Sequence, residues 1–259
     1  MILAQVPLLP GVFGSSSVPV IAYCTVPGYP ASPFATSLAG WWPASNALCS
    51  GVACSNGGSV TTVTDGSGNG RTMTVTAGTV TYNANALNGL PTLTFDANAY
   101  LSMASAIPDS GGLYSSYAVL KFPSLTFGIS NTLFGTSTFG GYAWRSTNSP
   151  GTLQIQSENV TNVATGNSST LSAGTWYQVN TTLQTHATYT FRVNRASNGS
   201  GSPANADVSP PNNFGSNQVG GTEKFVGVYA DSFIYSALNN STTVTYNECL
   251  IRGRYGSQF

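Results

Sequence analysis

The chain has 259 residues, enough for one large β domain or two small ones with a substantial core. Charged residues make up only 6% of it, and 8 basic and 8 acidic side chains cancel. It therefore carries no electrostatic footprint for nucleic acid or anionic lipid, and neither is expected as a partner. Its polar surface falls to Ser, Thr, Asn, Gln and Gly, while recurrent Tyr, Phe, Trp, Val, Leu and Ile exclude an intrinsically disordered chain.

Residues 1–37 carry Pro7, Pro10, Pro19, Pro27, Pro30 and Pro33. Proline at that density excludes helix and central strand, so an extended arm is expected. The apolar side chains Ile2, Leu3, Val6, Leu8, Leu9, Val12, Phe13, Val18, Val20, Ile21 and Tyr23 have no period that would build a core of their own. They are expected to dock, either on the following domain or on another chain. A secretory leader needs a basic start and an unbroken apolar stretch, which Pro7 and Pro10 interrupt. No run reaches the roughly 18 apolar residues of a membrane helix, so no membrane insertion is expected.

From residue 38 to 259 the texture becomes short β-type runs between Gly, Asn and Ser clusters, read as a single domain. In RTMTVTA, Met73, Val75 and Ala77 alternate with threonines, which predicts a half-buried strand. PTLTF, YAVLKF, TLQIQS and KFVGVYADSFIY predict further strands. TWYQVNTTL and TYTFRVNR predict a hairpin, with Phe191 and Val193 facing away from Arg192 and Asn194. STTVTYNECLIRG predicts one short helix, capped by Ser241, with Tyr246, Cys249 and Leu250 on one face. Many short strands and almost no helix predict an all-β, two-sheet antiparallel sandwich of jelly-roll type, with an extended N-terminal arm and a short C-terminal helix.

Cys49 and Cys54 are close enough to bridge a local loop, with Cys24 and Cys249 expected as thiols. A zinc site is not expected, because the spacing is not C-x-x-C and His186 is the only histidine.

The order of GWWPASN, VTDGSGNG, NGLPTLTFDANAYL, LSAGTWYQV and the closing FVGVYADSFIY…RGRYG resembles the LamG-like, concanavalin A-like lectin-glucanase jelly rolls, over about residues 38–256. Asn88-Gly89 and the glycines from 66 to 70 suit hairpin turns. Trp41, Trp42, Phe95 and Trp176 are expected to fill the space between the sheets. The resemblance implies a fold shared by lectins, glycanases and structural virion modules, so function rests on the site.

Glycoside hydrolysis needs two carboxylates about 5–9.5 Å apart. Glu158, Glu223 and Glu248 are isolated, so no catalytic residue and no enzyme are expected. DGSGNG imitates the start of a calcium loop, but Thr76 stands where its bidentate glutamate would be. A glycine-rich turn is the expectation, with no metal and no cofactor. In GGYAWRSTN, Tyr142, Trp144 and Arg145 are the candidate glycan-binding residues, with Tyr142 and Trp144 on one strand face, unless Trp144 belongs to the core.

Arm, low charge and resemblance together give the expectation of a non-enzymatic structural protein on the surface of a tailed-phage virion. It would be a decoration, head-fibre or tail-associated protein whose arm contacts capsid or tail subunits or copies of itself. The alternative is a glycan-binding adhesin or lectin module, phage-borne or secreted, whose partner is a cell-surface glycan.

Overall fold

The computed structural model describes residues 37–103, 105–108, 111–123, 131–135, 142–146, 153–157, 164–166, 172–184, 188–201, 211–216, 224–256 and 259. The predicted docking residues from Ile2 to Tyr23 lie outside them. In chain order the first strands are β1 (Leu38–Trp41), β2 (Ala47–Cys49), β3 (Val52–Ala53), β4 (Thr62–Val63), β5 (Met73–Ala77) and β6 (Val80–Leu87). Then come β7 (Leu90–Phe95), β8 (Tyr100–Met103), β9 (Leu113–Lys121), β10 (Asn131–Gly135), β11 (Tyr142–Ser146) and β12 (Leu153–Ser157). The last are β13 (Ala164–Gly166), β14 (Trp176–Gln184), β15 (Thr188–Val193), β16 (Ala196–Gly201), β17 (Asn213–Phe214), β18 (Gly227–Tyr235) and the helix α1 (Ser241–Tyr255).

The strands form two antiparallel sheets. Sheet A runs β16-β15-β14-β9-β18-β7-β6, with β1 added to β18, and sheet B runs β13-β12-β11-β10-β17-β8-β5-β4-β2-β3. This is the all-β sandwich the strand pattern predicts. Between the sheets lie Trp42, Met73, Leu93, Phe95, Leu101, Phe134, Phe214, Phe225 and Tyr229, all buried. Phe95 meets Phe214 and Phe225 with ring centroids 5.5 and 5.4 Å apart, in tilted and edge-to-face geometries.

Strand β9 shows how sequence becomes a second core. Tyr114, Ala118 and Leu120 enter the inter-sheet core, whereas Tyr117 and Val119 belong to a cluster on the other side of sheet A. Both faces are buried, so the strand reads as a nearly continuous apolar run. The outer cluster joins Tyr117, Val119, Phe233 and Tyr235 to Ile251 and Tyr255 of α1 and to Phe259. Tyr117 and Phe233 stack at 4.7 Å and 17°. Of the tryptophans expected between the sheets, Trp42 is there, but Trp41 and Trp176 belong to this outer cluster. The reason is the period of two along a strand, which sends neighbours Trp41 and Trp42 to opposite faces.

The helix is present, with Tyr246, Cys249 and Leu250 packed together as predicted. Its cap is Asn240 rather than Ser241: the Asn240 Oδ1 accepts from the Thr243 N–H at 2.9 Å. The Asn88-Gly89 turn between β6 and β7 is also as read, with φ of 50° and 79°. The cysteine expectation needs one correction. Cys49 and Cys54 are bridged across five residues of separation, and Cys249 is disulfide-bonded as well, so it is not a thiol.

Candidate functional site

Among the described residues, the carboxylates of Asp65, Asp96, Asp231 and Glu248 each have a structural task. Asp65 holds the turn at Gly66–Gly70: its carboxylate accepts from the backbone N–H groups of Trp41 (3.0 Å), Ser67 (2.8 Å) and Arg71 (3.0 Å). Gly68 and Gly70 supply the positive φ values, 85° and 72°, that the turn requires. Asp96 accepts from Thr79 N at 2.7 Å and Asn98 N at 2.7 Å. Glu248, nearly fully buried, holds Arg192 through Nε at 2.7 Å and Nη2 at 3.0 Å. That hydrogen-bonded pairing raises the Arg192 pKa above its ordinary value.

Asp231 is buried on β18. It accepts from Trp41 Nε1 at 2.9 Å and Tyr255 OH at 2.8 Å, with Arg254 Nη1 at 3.7 Å. Desolvation raises its pKa against the pull of the Arg254 charge. Burial also pushes the Tyr255 hydroxyl well above its usual value. These groups tie β1, β18 and α1 together. Glu158 and Glu223 lie outside the described residues.

The two outer faces of the sandwich differ. That of sheet A is covered by α1, as described above. Sheet B shows polar side chains instead. Thr62, Thr74, Ser102 and Asn213 are successive partners across β4, β5, β8 and β17. Cross-strand partners share a face, and the neighbouring row of Val75, Leu101 and Phe214 packs against the inter-sheet core. Along this row Thr74 is exposed, Thr62 and Ser102 are half-buried and Asn213 is fully buried; Thr76 is also exposed, and its hydroxyl lies 2.6 Å from that of Ser102. At the end of this strip stands Tyr100. Over its ring, 3.9 Å from the centroid, sits the Lys224 ammonium, which also donates to Ser216 Oγ at 3.2 Å. Burial lowers the Lys224 pKa.

Register also places the predicted trio. Trp144 is the partner of Phe134, Phe134 of Phe214, and Phe214 of Leu101. Phe134, Phe214 and Leu101 are core residues, and Tyr142, Trp144 and Arg145 share strand β11, which pairs with β10. The side chains of Tyr142, Trp144 and Arg145 themselves lie outside the described residues. Sequence reasoning passed over Tyr100, Ser102 and Lys224. The alternation of Tyr100 and Ser102 with Leu101 and Met103 is the signal that could have marked their strand as two-faced.

No family model and no curated protein matches the chain by sequence. Solved structures do match in fold. One is domain 4 of a GH43 extracellular arabinanase from Geobacillus stearothermophilus, in complex with arabinotriose. It matches with a TM-score of 0.60 and 16% identity, covering 82% of this chain and 98% of that one. Another is the binding domain of botulinum neurotoxin serotype D, with a TM-score of 0.56 and 14% identity over 82% of this chain. A third is the binding domain of botulinum neurotoxin DC in complex with SialylT, with a TM-score of 0.56 and 12% identity over 84% of this chain. The chain spans about half the length of the toxin chains, 51% and 52%, but nearly all of the arabinanase domain. These matches agree with the concanavalin A-like expectation at the level of the fold and give no support to a virion location. The chain is thus a β-sandwich jelly roll that shares its architecture with these domains.

Proposed function

We propose that this chain is a non-catalytic glycan-binding module. The observation that carries this reading is the outward polar face of sheet B, with exposed Thr74 and Thr76 beside Ser102, set against a sheet A whose outer face is covered by α1. A sugar presents many hydroxyls, and a rigid sheet of hydroxyl and amide side chains offers donors and acceptors at fixed spacing. The arabinanase domain, matched over nearly its whole length, was solved with arabinotriose, which favours a saccharide over a protein ligand. Two observations favour action outside the reducing cytosol: the Cys49–Cys54 bridge and a disulfide-bonded Cys249. A secreted or cell-surface setting follows. The virion setting is a narrower version of the same reading and depends on the arm, residues 1–37, docking on capsid or tail subunits.

Isothermal titration of the full chain with arabinotriose and a panel of plant and animal oligosaccharides tests the reading. The wild type is expected to bind at least one saccharide, and Thr76→Tyr, which fills the exposed strip, to lose binding without a change in melting temperature. Absence of binding across the panel, or binding untouched by Thr76→Tyr, overturns it.

A further inference from the structure

The two lysines of the chain, Lys121 and Lys224, each lie over an aromatic ring, Trp176 at 5.1 Å and Tyr100 at 3.9 Å. Lys121 is part of sheet A, opposite Trp176 in the β9–β14 ladder. Lys224 stands at the end of the polar strip of sheet B. Its ammonium has three donors; one goes to Ser216 Oγ and the ring of Tyr100 takes another side of the charge. Among the described residues, no carboxylate lies within ion-pair distance of it. Asp96, close in sequence to Tyr100, spends both oxygens on backbone N–H groups.

We propose that this end of sheet B selects a carboxylated saccharide, the Lys224 ammonium meeting the carboxylate. The proposal rests on the glycan-binding reading and names the ligand class for that face. Tyr100 is 5% exposed and lies beneath the lysine, so its role is to fix the ammonium rather than to stack on a sugar. Burial has already stripped part of the water from Lys224 and lowered its pKa, and a ligand carboxylate supplies a counter-charge that none of the described carboxylates gives it. Uronic acids and sialic acids share this chemistry.

The test measures the affinity of the full chain for two matched pairs of probes: trigalacturonic acid against its methyl ester, and 3′-sialyllactose against lactose. The expected result is about tenfold tighter binding of the acid in at least one pair, weakening with added salt. The pair that shows it identifies the source of the carboxylate. Lys224→Gln is expected to erase the difference while retaining the fold by circular dichroism, and Lys224→Arg to keep most of it. Equal affinity within both pairs, or a preference that survives Lys224→Gln, overturns the acid selectivity while leaving glycan binding standing. Failure of every saccharide, charged or neutral, overturns both.

Discussion

Trp41 donates its indole N–H to the carboxylate of Asp231 at 2.9 Å across 190 residues of sequence. The bond joins the first described strand to the last, and Tyr255 from α1 closes the same carboxylate from the other oxygen. Arg254 lies beside it, with its guanidinium 5.5 Å from the Trp41 ring. A buried carboxylate with this many partners is the structural centre of the outer cluster of sheet A. Asp231→Ala removes an acceptor of the Trp41 indole N–H, one of the two acceptors of the Tyr255 hydroxyl and the charge beside Arg254, and is expected to cost about 3–5 kcal/mol in urea unfolding. Asp231→Asn keeps an acceptor for Trp41 and is expected to cost less than half as much.

The same carboxylate sets a pH dependence. Its folded-state pKa lies above the ordinary 3.8, because desolvation disfavours the charge. The folded state therefore holds this proton more tightly than the unfolded chain. Its contribution to stability is fully present below pH 3.8 and is lost as pH rises through the higher folded value. Unfolding free energies measured from pH 3 to pH 7 are expected to show this downward slope in the wild type relative to Asp231→Asn, and equal slopes would refute it.

Glu248 and Arg192 fasten the middle of α1 to β15. The arginine side chain is 28% exposed and the glutamate 1%, so solvent screens only one partner. Glu248→Gln is expected to cost about 1–2 kcal/mol, discounted for that exposure. Hydrogen exchange should rise in α1 and leave β8 and β9 unchanged.

Gly40 faces the ring of Trp42 so closely that a Cβ would lie 2.2 Å from ring carbon Cη2. Trp42 is fully buried, with its indole N–H donated to Arg71 O at 2.6 Å, so the ring has nowhere to move. Gly40→Ala is expected to lose about 1–3 kcal/mol by overpacking. At Gly51, with φ of 84° and nothing within 4 Å, alanine is expected to cost about 1 kcal/mol from backbone conformation alone. Thermal melting of the two variants separates the causes.

The Cys49–Cys54 bridge staples the β2–β3 hairpin at one edge of sheet B. Replacing both cysteines by serine is expected to lower stability by about 2 kcal/mol, the loop-closure entropy of so short a ring. The loss should be accompanied by faster amide exchange in Leu48–Ala53, while Phe95 and Phe214 stay protected.

The strands and their turns were readable because period-two alternation and Asn-Gly turns are local signals, as β5, the β14–β15 hairpin and Asn88-Gly89 show. What local signals lack is the face to which a side chain is sent when both faces are buried. Trp41 and Trp42 look alike in sequence, yet only the pairing of β1 with β18 decides which meets Asp231. Tyr100 and Lys224 come together from 124 residues apart, a distance no motif spans.

The outward face of sheet B is where a bound saccharide is expected to lie. Amide chemical-shift mapping of the full chain during titration with trigalacturonic acid and with arabinotriose tests it most directly. Shifts are expected to be confined to Thr74–Ala77, Tyr100–Met103 and the residues beside Lys224, with those of α1 unmoved. Shifts centred on α1 and the outer cluster of sheet A, or none with either saccharide, would contradict it.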